Sequence, residues 1–525
     1  MSGSSVSGRL YIRMLFKVKS ASLIGIDAIP VEVEVDVTGG LPGFIIVGLP
    51  DASIRESRDR VKAALRNCGF DLPSRKIVVN MAPADVKKEG SAFDLPIALG
   101  LLASLDLFPE EQLSGFLFLG ELGLDGALNP VRGGLSSAVL ARAKGLAGLV
   151  LPKANENEGA LVQDLKVYGF TSVREVIKFL RSPDEVFPCA LRREELIGRE
   201  SWAIDFREIK GQVHAKRALE IAAAGFHNVL MIGPPGAGKT MLARRLPTIL
   251  PPLTFEEIIE VTRIHSAAGI LANGEPVVAR PFRAPHHTVS PAGLIGGGGI
   301  PKPGEVSLAH RGVLFLDEIS EFHRSALEGL RQPIEDGHVT ISRAALSITY
   351  PSSFMIVAAL NPFEDSIAGS LGGEDVSPNL RRRYYSKLSG PMLDRIDIQI
   401  EVPKLSFSDI SSRTDGEASA AIRRRVVAAR DIQEKRYSFS REGILFNSQM
   451  GTGELKKFCQ IEEGALGLLS AAVNRWGFSA RAYARVLKVA RTIADIEGGR
   501  EITAAHVGEA IQYKVLNPLK GFAEA

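Results

Sequence analysis

The sequence predicts a multidomain α/β protein, and three stretches of the chain carry this prediction. An apolar run at residues 229–232 is followed by a glycine-rich turn and a helical stretch at 241–246. A second apolar run, at 312–316, is followed directly by two acidic residues. Such a continuous apolar run is typical of a buried strand in a parallel sheet. Beyond residue 420, apolar residues recur at helical spacing. We therefore expect a parallel sheet with helices, preceded by an α+β region and followed by a helical region.

The α+β region is predicted by strands and buried helices before residue 180. Residues 31–37 alternate apolar and acidic side chains, and residues 93–105 are broadly apolar. Proline-containing pairs at 182–183 and 187–188 indicate a linker. The expected segments are an unstructured extension at 1–13, an α+β domain at 14–180, a linker at 181–204, a nucleotide-binding core at 205–403 and a helical C-terminal domain at 404–525.

The amino-acid composition limits the classes of protein to which the chain can belong. The formal net charge is only +3 over 525 residues, so any surface that binds nucleic acid has to be local. The cysteines, Cys68, Cys189 and Cys459, match no metal-binding or disulfide spacing, which favours a reducing, cytoplasmic environment. No apolar run reaches about 18 residues, so we expect no membrane span. The N-terminus also lacks the basic and apolar regions of a signal peptide.

The glycine-rich turn fits the phosphate-binding pattern G-x-x-x-x-G-K-[ST]. Its residues are Gly233, Pro234, Pro235, Gly236, Ala237, Gly238, Lys239 and Thr240. A strand that turns through glycines into a helix directs several backbone N–H groups at one point, where a phosphate binds. Lys239 is expected to reach the β- and γ-phosphates of ATP, and the Thr240 hydroxyl to ligate Mg²⁺. The alternative, a chance glycine-rich turn, is disfavoured by the flanking strand and helix.

Acidic and amide side chains follow two further predicted strands. Asp317 and Glu318 come directly after the apolar run at 312–316, and Asn361 follows the run at 354–360. The carboxyl ends of parallel strands meet at the edge of the sheet where ligands bind. We expect Asp317 to hold the Mg²⁺ shell, Glu318 to orient and deprotonate the attacking water, and Asn361 to sense the γ-phosphate.

Arg395 lies immediately before another apolar run, at 396–402, where a charged residue is unusual. Two interpretations are open. The arginine forms a surface ion pair with Asp394 or Asp397, or it is an arginine finger that contacts ATP bound to a neighbouring subunit. We favour the second interpretation.

The insertion between the glycine-rich turn and residue 312 contains a histidine pair, His286 and His287, and a glycine run at 296–299. Four consecutive glycines cannot form a rigid core element, because ordering them costs too much entropy, so a flexible loop is predicted. A histidine pair without carboxylate or cysteine support is more often part of a loop than a metal site.

The N-terminal region resembles the proteolytic domain of Lon at residues 88–95, 120–126 and 131–135. In Lon the corresponding motifs carry a serine nucleophile and a lysine base, which together make the catalytic pair. This chain has Ala92 and Ser136 at those positions. The resemblance therefore implies a Lon-like fold without peptidase activity, used for assembly or binding.

The motifs together resemble the magnesium-chelatase-like AAA+ ATPases, and specifically the ComM/YifB family. The most specific stretches are Gly43–Asp51, Arg283–Thr288 and Ser389–Asp397, and the resemblance spans nearly the whole chain from Met14. It implies a homo-hexameric ring and ATP-driven branch migration and helicase action on DNA during natural transformation. It also implies that Arg481, in the helical lid, contacts the γ-phosphate. Many relatives carry a zinc-binding cysteine cluster after the sensor asparagine. Here residues 363–371 contain no cysteine, so no zinc is expected.

Three functions compete on this evidence. A DNA motor is favoured, with candidate DNA contacts at 296–302 and Arg343. Arg381–Arg383 beside Tyr384 and Tyr385 is either a phosphate-pairing and base-stacking surface or a solvated basic turn. A chelatase-type remodeller of a partner protein is the alternative. An ATP-dependent protease is opposed by Ala92 and Ser136.

Overall fold

The computed structural model describes residues 15–298, 301–343, 346–362, 390–411, 415–438 and 443–514. The chain forms two compact units, one comprising Met1–Leu196 and Phe255–Val277 and the other Ile197–Thr254 and Val278–Ala525. Each unit has its own cluster of buried apolar side chains. The predicted boundaries placed 255–277 within the nucleotide-binding core, whereas the structure groups this segment with the first unit.

The first unit is built on a four-stranded sheet with strand order β1-β2-β4-β3. Its strands are β1 (Leu15–Ile24), β2 (Asp27–Thr38), β3 (Gly43–Val47) and β4 (Lys76–Ala82). Over residues 31–37 of β2 the valines are buried and the alternate acidic residues are not, as the sequence predicted. Helix Asp94–Ala103 covers this sheet, and a Cβ on Gly100 would overlap the Val35 side chain, so the helix packs closely.

Two smaller sheets and further helices complete the first unit. Parallel strands β5 (Phe116–Phe118), β8 (Gly148–Pro152) and β9 (Lys166–Phe170) form one sheet, and β6 (Glu121–Leu122) and β7 (Leu128–Asn129) form the other. The other helices of this unit are Ala52–Asn67, Glu111–Gly115, Gly134–Ala143, Glu156–Gly159, Val173–Arg181 and Phe255–Ala268.

Helix Phe255–Ala268, here called the arm helix, belongs to the first unit although its sequence follows the glycine-rich turn. Arg263 pairs with Asp27, and its Nε donates to Ser136 Oγ at 3.4 Å. The backbone N–H of Gly133 donates to the Ser266 hydroxyl at 3.0 Å. The arm helix therefore packs beside Ser136, the position at which Lon has its catalytic lysine.

The second unit is built on a five-stranded parallel sheet with strand order β11-β14-β17-β10-β18. These strands are β10 (Val229–Ile232), β11 (Phe282–Arg283), β14 (Val313–Leu316), β17 (Met355–Leu360) and β18 (Ile398–Glu401). The three central strands, β14, β17 and β10, are buried over their full length, because helices cover both faces of such a sheet.

The insertion contains more regular structure than its glycine run predicted. Helix Pro291–Ile295 leads into β12 (Gly296–Gly297), which pairs with β13 (Lys302–Pro303). A second hairpin, beyond the insertion, joins β15 (His338–Arg343) to β16 (Leu346–Pro351). Gly296 and Gly297 reach φ values of 112° and 156°, which glycine adopts without strain. The described part of the predicted flexible loop therefore contains a short hairpin.

Helices account for the rest of the second unit. They are Val213–Gly225, Lys239–Arg245, Glu305–Leu308, Arg324–Gly329, Arg331–Asp336, Gly390–Leu393, Phe407–Ser411, Ser419–Tyr437, Thr452–Phe458, Glu463–Trp476, Ala480–Ile496 and Ala504–Gln512. The helices after residue 418, which form the lid, share one apolar core with the sheet. Within the described ranges, no helix has both the length and the apolar character needed to cross a bilayer.

Candidate active site

The glycine-rich turn lies between the end of β10 and helix Lys239–Arg245. A Cβ on Gly233 would overlap the carbonyl oxygen of Val402, so only glycine fits where the turn crosses β18. Gly238 has φ 92° and precedes the first helical residue. These backbone conformations leave the N–H groups of the turn directed at the helix N-terminus, which is the arrangement that binds phosphate.

Lys239 is buried, and its ammonium group connects the turn to a neighbouring strand. The Nζ atom donates to the carbonyl oxygens of Gly233 and Pro234, the latter at 2.9 Å. It also donates to Asn361 Oδ1 at 3.0 Å. A cation held at this point lies where it can neutralise the charge of phosphates bound by the turn.

The second group of contacts joins Thr240 to the acidic pair after β14. The Thr240 hydroxyl donates to Asp317 Oδ2 at 2.8 Å, and Asp317 Oδ1 accepts from the Glu318 N–H at 3.1 Å. A hydroxyl and a carboxylate beside a phosphate site are the oxygen ligands that Mg²⁺ takes, so the residues present fit this ion.

Glu318 is exposed and adopts φ 50°, a left-handed conformation that is uncommon for a residue with a side chain. Its Oε1 lies 3.5 Å from Asn361 Nδ2, at the outer limit of a hydrogen bond. Asn361 therefore lies between Lys239 and Glu318. Because β14, β17 and β10 are neighbours, the ends of three adjacent strands bring the phosphate-binding lysine and the exposed carboxylate together.

Arg395 follows helix Gly390–Leu393 and is largely buried, with 12% of its side chain exposed. Its guanidinium pairs with Glu335, and its carbonyl oxygen accepts from Asn228 Nδ2 at 3.0 Å. Glu335 is an ion-pair partner that the sequence did not predict. Asp397, one of the two predicted partners, instead lies 3.3 Å from the Nε atom of Arg485.

Arg481 is exposed in the first turn of helix Ala480–Ile496, here called the sensor helix. Ser479 caps this helix by accepting from the Ala482 N–H at 3.2 Å. Arg485 lies one turn further on. Burial lowers the pKa of Arg485, Asp397 raises it, and the nearby Arg395 and Arg481 lower it. Arg485 was absent from the predicted site, although its i+4 spacing from Arg481 places it on the same helix face.

No cluster of three or more His, Cys, Asp or Glu side chains that could hold a metal ion occurs among the described residues. The stretch at 363–371, where relatives carry cysteines, lies outside them, as do Arg381–Arg383, Tyr384 and Tyr385.

Comparisons with known proteins match most of the chain. Residues 205–410 match the family model described as magnesium chelatase, subunit ChlI, residues 33–155 match subunit ChlI of Mg-chelatase, and residues 416–514 match the ChlI C-terminal model. Competence protein ComM of Haemophilus influenzae is 43% identical over 95% of this chain and 97% of its own length. The uncharacterized protein YifB of Escherichia coli is 42% identical over 96% of this chain and 97% of its own length.

The N-terminal part of the chain also has a partial similarity to a protease. Lon protease 2 of Bacillus subtilis is 32% identical over 156 residues, which cover 27% of each chain. The Ser136 hydroxyl, at the position of the lysine in Lon, donates to the Ile26 carbonyl oxygen at 2.6 Å. A hydroxyl held in this way offers no base to a nucleophile.

Proposed function

The chain belongs to the ComM/YifB family of magnesium-chelatase-like AAA+ ATPases, and from this premise we propose that it is a hexameric, Mg²⁺-dependent ATP hydrolase that moves on DNA. The observation that carries the proposal is the contact chain from Lys239 through Asn361 to Glu318. These contacts join the ammonium group of Lys239, which we propose binds phosphate, to the exposed carboxylate of Glu318.

Each residue of the candidate site has a defined part in hydrolysis. Lys239 and the N–H groups of the turn bind the β- and γ-phosphates. Thr240 and Asp317 would hold Mg²⁺, which when bound neutralises phosphate charge. Glu318 accepts the proton of the attacking water, and Asn361 orients that water beside the γ-phosphate. Arg481 contacts the γ-phosphate from the lid.

Arg395 completes the site from a neighbouring subunit. Its pairing with Glu335, which is 55% exposed, holds the arginine near the surface in a defined rotamer. When Arg395 leaves Glu335 and binds a phosphate oxygen, its guanidinium exchanges one anionic partner for another. The site therefore needs a ring of subunits, and we take the hexamer implied by the family as its form.

DNA as the substrate is supported by two basic hairpins, one in the insertion and one after β14. Lys302 lies on the β12–β13 hairpin and Arg343 on the β15–β16 hairpin, and both side chains are exposed. The hairpins are in contact, because the Tyr350 hydroxyl donates to the Pro301 carbonyl oxygen at 2.8 Å. A Cβ on Gly297 would lie 3.6 Å from Arg343 Nη2. Two cations on adjacent hairpins suit a phosphate backbone.

The test is the ATP hydrolysis rate with and without single-stranded or four-way-junction DNA. We expect DNA to stimulate hydrolysis, and added salt to reduce this stimulation strongly. Lys302→Ala with Arg343→Ala is expected to weaken the stimulation about tenfold or more without changing the basal rate. Arg475→Ala, a lid arginine beside Trp476, is the matched control. No response to DNA at low salt would exclude a DNA motor.

Branch migration and strand displacement are the activities we propose for this motor, in recombination or natural transformation. The Haemophilus influenzae relative is named a competence protein, which supports this assignment. Displacement of one strand from a four-way junction, dependent on ATP hydrolysis, is the expected result.

A chelatase-type remodeller is the second candidate, favoured by the match of residues 205–410 to a magnesium chelatase subunit. It predicts that a partner protein, and not DNA, stimulates ATP hydrolysis. Peptidase activity is not part of either proposal. We expect neither the wild type nor Ala92→Ser to cleave casein, because Ser136 supplies no base.

A further inference from the structure

Asp397, immediately before β18, carries a buried carboxylate that contacts two other parts of the second unit, the segment before β10 and the sensor helix. Its Oδ2 accepts from the Asn228 N–H at 3.2 Å and lies 3.3 Å from His227 Nδ1. Its Oδ1 lies 3.3 Å from Arg485 Nε. Burial would raise the pKa of this carboxyl, but His227, Arg485 and Lys488 together lower it below its usual value. Asp397 is therefore ionised at neutral pH.

The sensor helix is attached to this carboxylate at two points. Arg485 contacts Asp397 directly, and Thr492 contacts it through His227, whose Nε2 lies 2.8 Å from Thr492 Oγ1. Arg485 and Thr492 are two helical turns apart and so share one face of the helix. Two attachments on one face restrict both rotation and sliding of the helix.

The same carboxylate is linked to the segment that carries Arg395. Asn228, whose N–H donates to Asp397, also donates from its Nδ2 to the Arg395 carbonyl oxygen at 3.0 Å. Its Oδ1 accepts from the Ile356 N–H in β17 at 2.8 Å. The side chain of Asn228 thus ties the Arg395 segment to the central sheet.

We propose that the Asp397–Arg485 pair, with His227 as the second attachment, positions the sensor helix for ATP hydrolysis so that Arg481 meets the γ-phosphate. The inference rests on the proposed role of Arg481. Arg481 lies one turn before Arg485, so a tilt of the helix about the Asp397 attachment moves Arg481 directly. A displacement of about 1 Å can reduce turnover by about a hundredfold.

A second buried network on the same helix supplies a control; it is linked to the first through Asn447, whose Nδ2 donates to Thr492 at 3.0 Å and to Asp495 at 2.8 Å. Asp495, near its C-terminal end, pairs with Arg436 at 2.7 Å and with Arg491 at 3.0 Å. This network also joins a lid carboxylate to arginines, but it lies almost four turns from Arg481. Arg436→Ala is therefore expected to reduce lid stability without displacing Arg481.

The experiment is a double-mutant cycle in the full chain, read as kcat and KM for ATP. Arg481→Ala and Arg485→Ala are each expected to lower kcat about tenfold or more, and the double variant to match Arg481→Ala within about twofold. Arg485→Lys is expected to recover part of the lost kcat, because it retains the charge opposite Asp397. Arg436→Ala is expected to lower the Tm and leave kcat within about twofold.

The possible failures are distinguishable. If Arg481→Ala leaves kcat unchanged, the proposed role of Arg481 fails, and this inference fails with it. If Arg481→Ala is slow but the two losses multiply in the double variant, Arg485 acts independently and only the positioning role is overturned. If Arg436→Ala lowers kcat as much as Arg485→Ala, the effect is general lid stability and the positioning role is again overturned. Should Arg485→Ala not fold, the same cycle with Arg485→Lys decides between these outcomes.

Discussion

Glu318 shows how a single backbone conformation contributes to the chemistry of the site. Its φ of 50° is left-handed, a region that costs a residue with a side chain about 1–3 kcal/mol. The carboxylate is exposed at the end of β14 and within reach of the Asn361 amide. A strained, exposed carboxylate beside a phosphate-binding turn is the arrangement expected of a general base.

Glu318→Gln is expected to bind ATP normally and to lower turnover by about 10²–10⁴, because the amide cannot accept the proton of water. Phosphate release measures turnover, and a fluorescent ATP analogue measures binding. Glu328→Gln, which removes a surface carboxylate paired with Arg324, is the control. Turnover within a few-fold of the wild type in Glu318→Gln would rule out this base.

The buried ammonium group of Lys514 makes the free energy of unfolding depend on pH. Burial lowers the pKa of Lys514 from 10.5 to about 8. Between pH 8 and 10.5 the unfolded chain binds more protons than the folded chain, so this group makes stability rise with pH in that window. Below pH 8 the full cost of the buried charge is present.

Lys514→Met should therefore stabilise the protein at pH 7 by about 1–3 kcal/mol, reduced by the loss of the hydrogen bond to the Ile396 carbonyl oxygen. The gain should shrink as the pH approaches 10.5. Urea unfolding at pH 7 and pH 10 measures the difference, with the exposed Lys456→Met as control. An equal gain at both pH values would show that the charge of Lys514 is not its cause.

At the scale of elements, the segment 255–277 is the main departure from the predicted organisation. It lies within the core predicted at 205–403, yet its partners are Asp27, Gly133 and Ser136 in the first unit. The C-terminal part of the segment, at Gly274, is also closely packed in the first unit. Gly274 has φ 65°, and a Cβ on it would overlap the Ala154 carbonyl oxygen.

Gly274→Ala is expected to destabilise the first unit by about 1–3 kcal/mol or more, because strain in the left-handed region adds to the overlap with Ala154. Amide hydrogen exchange in β2 reports the stability of that unit. Gly39→Ala, with no heavy atom within 4 Å of its Cβ, is the matched control in the same unit. Unchanged exchange in Gly274→Ala would mean that the segment is not closely packed there.

At the scale of the whole molecule, we propose that the candidate site needs a further cation from a neighbouring subunit to oppose the developing charge on the γ-phosphate. Lys239 and Arg481 belong to the same chain as the phosphate-binding turn. Arg395 is held by Glu335, and we propose that a neighbouring subunit receives it. ATP hydrolysis would then require that the subunits assemble.

Arg395→Ala is expected to bind ATP nearly normally and to hydrolyse it about 10³-fold more slowly, as loss of an arginine finger does. Mixing it with Lys239→Ala should restore part of the activity, because some interfaces then carry both groups. Glu335→Gln is the control, and its hydrolysis should stay near that of the wild type. If mixed rings form without any recovery, or if Glu335→Gln is as slow as Arg395→Ala, the arginine acts within its own subunit.

The sequence by itself determined the glycine-rich turn, the acidic pair after β14 and the helical character of the chain beyond residue 420. These depend on local patterns, namely apolar periodicity and glycines at fixed spacing, which a single segment encodes. The tertiary structure alone decided the partners of Arg395 and Asp397 and the place of the arm helix. Arg395 and Glu335 are 60 residues apart, and His227 and Thr492 are 265 apart. Side chains so distant along the chain meet only when the whole unit folds, and no local periodicity records which of several carboxylates will face a given arginine.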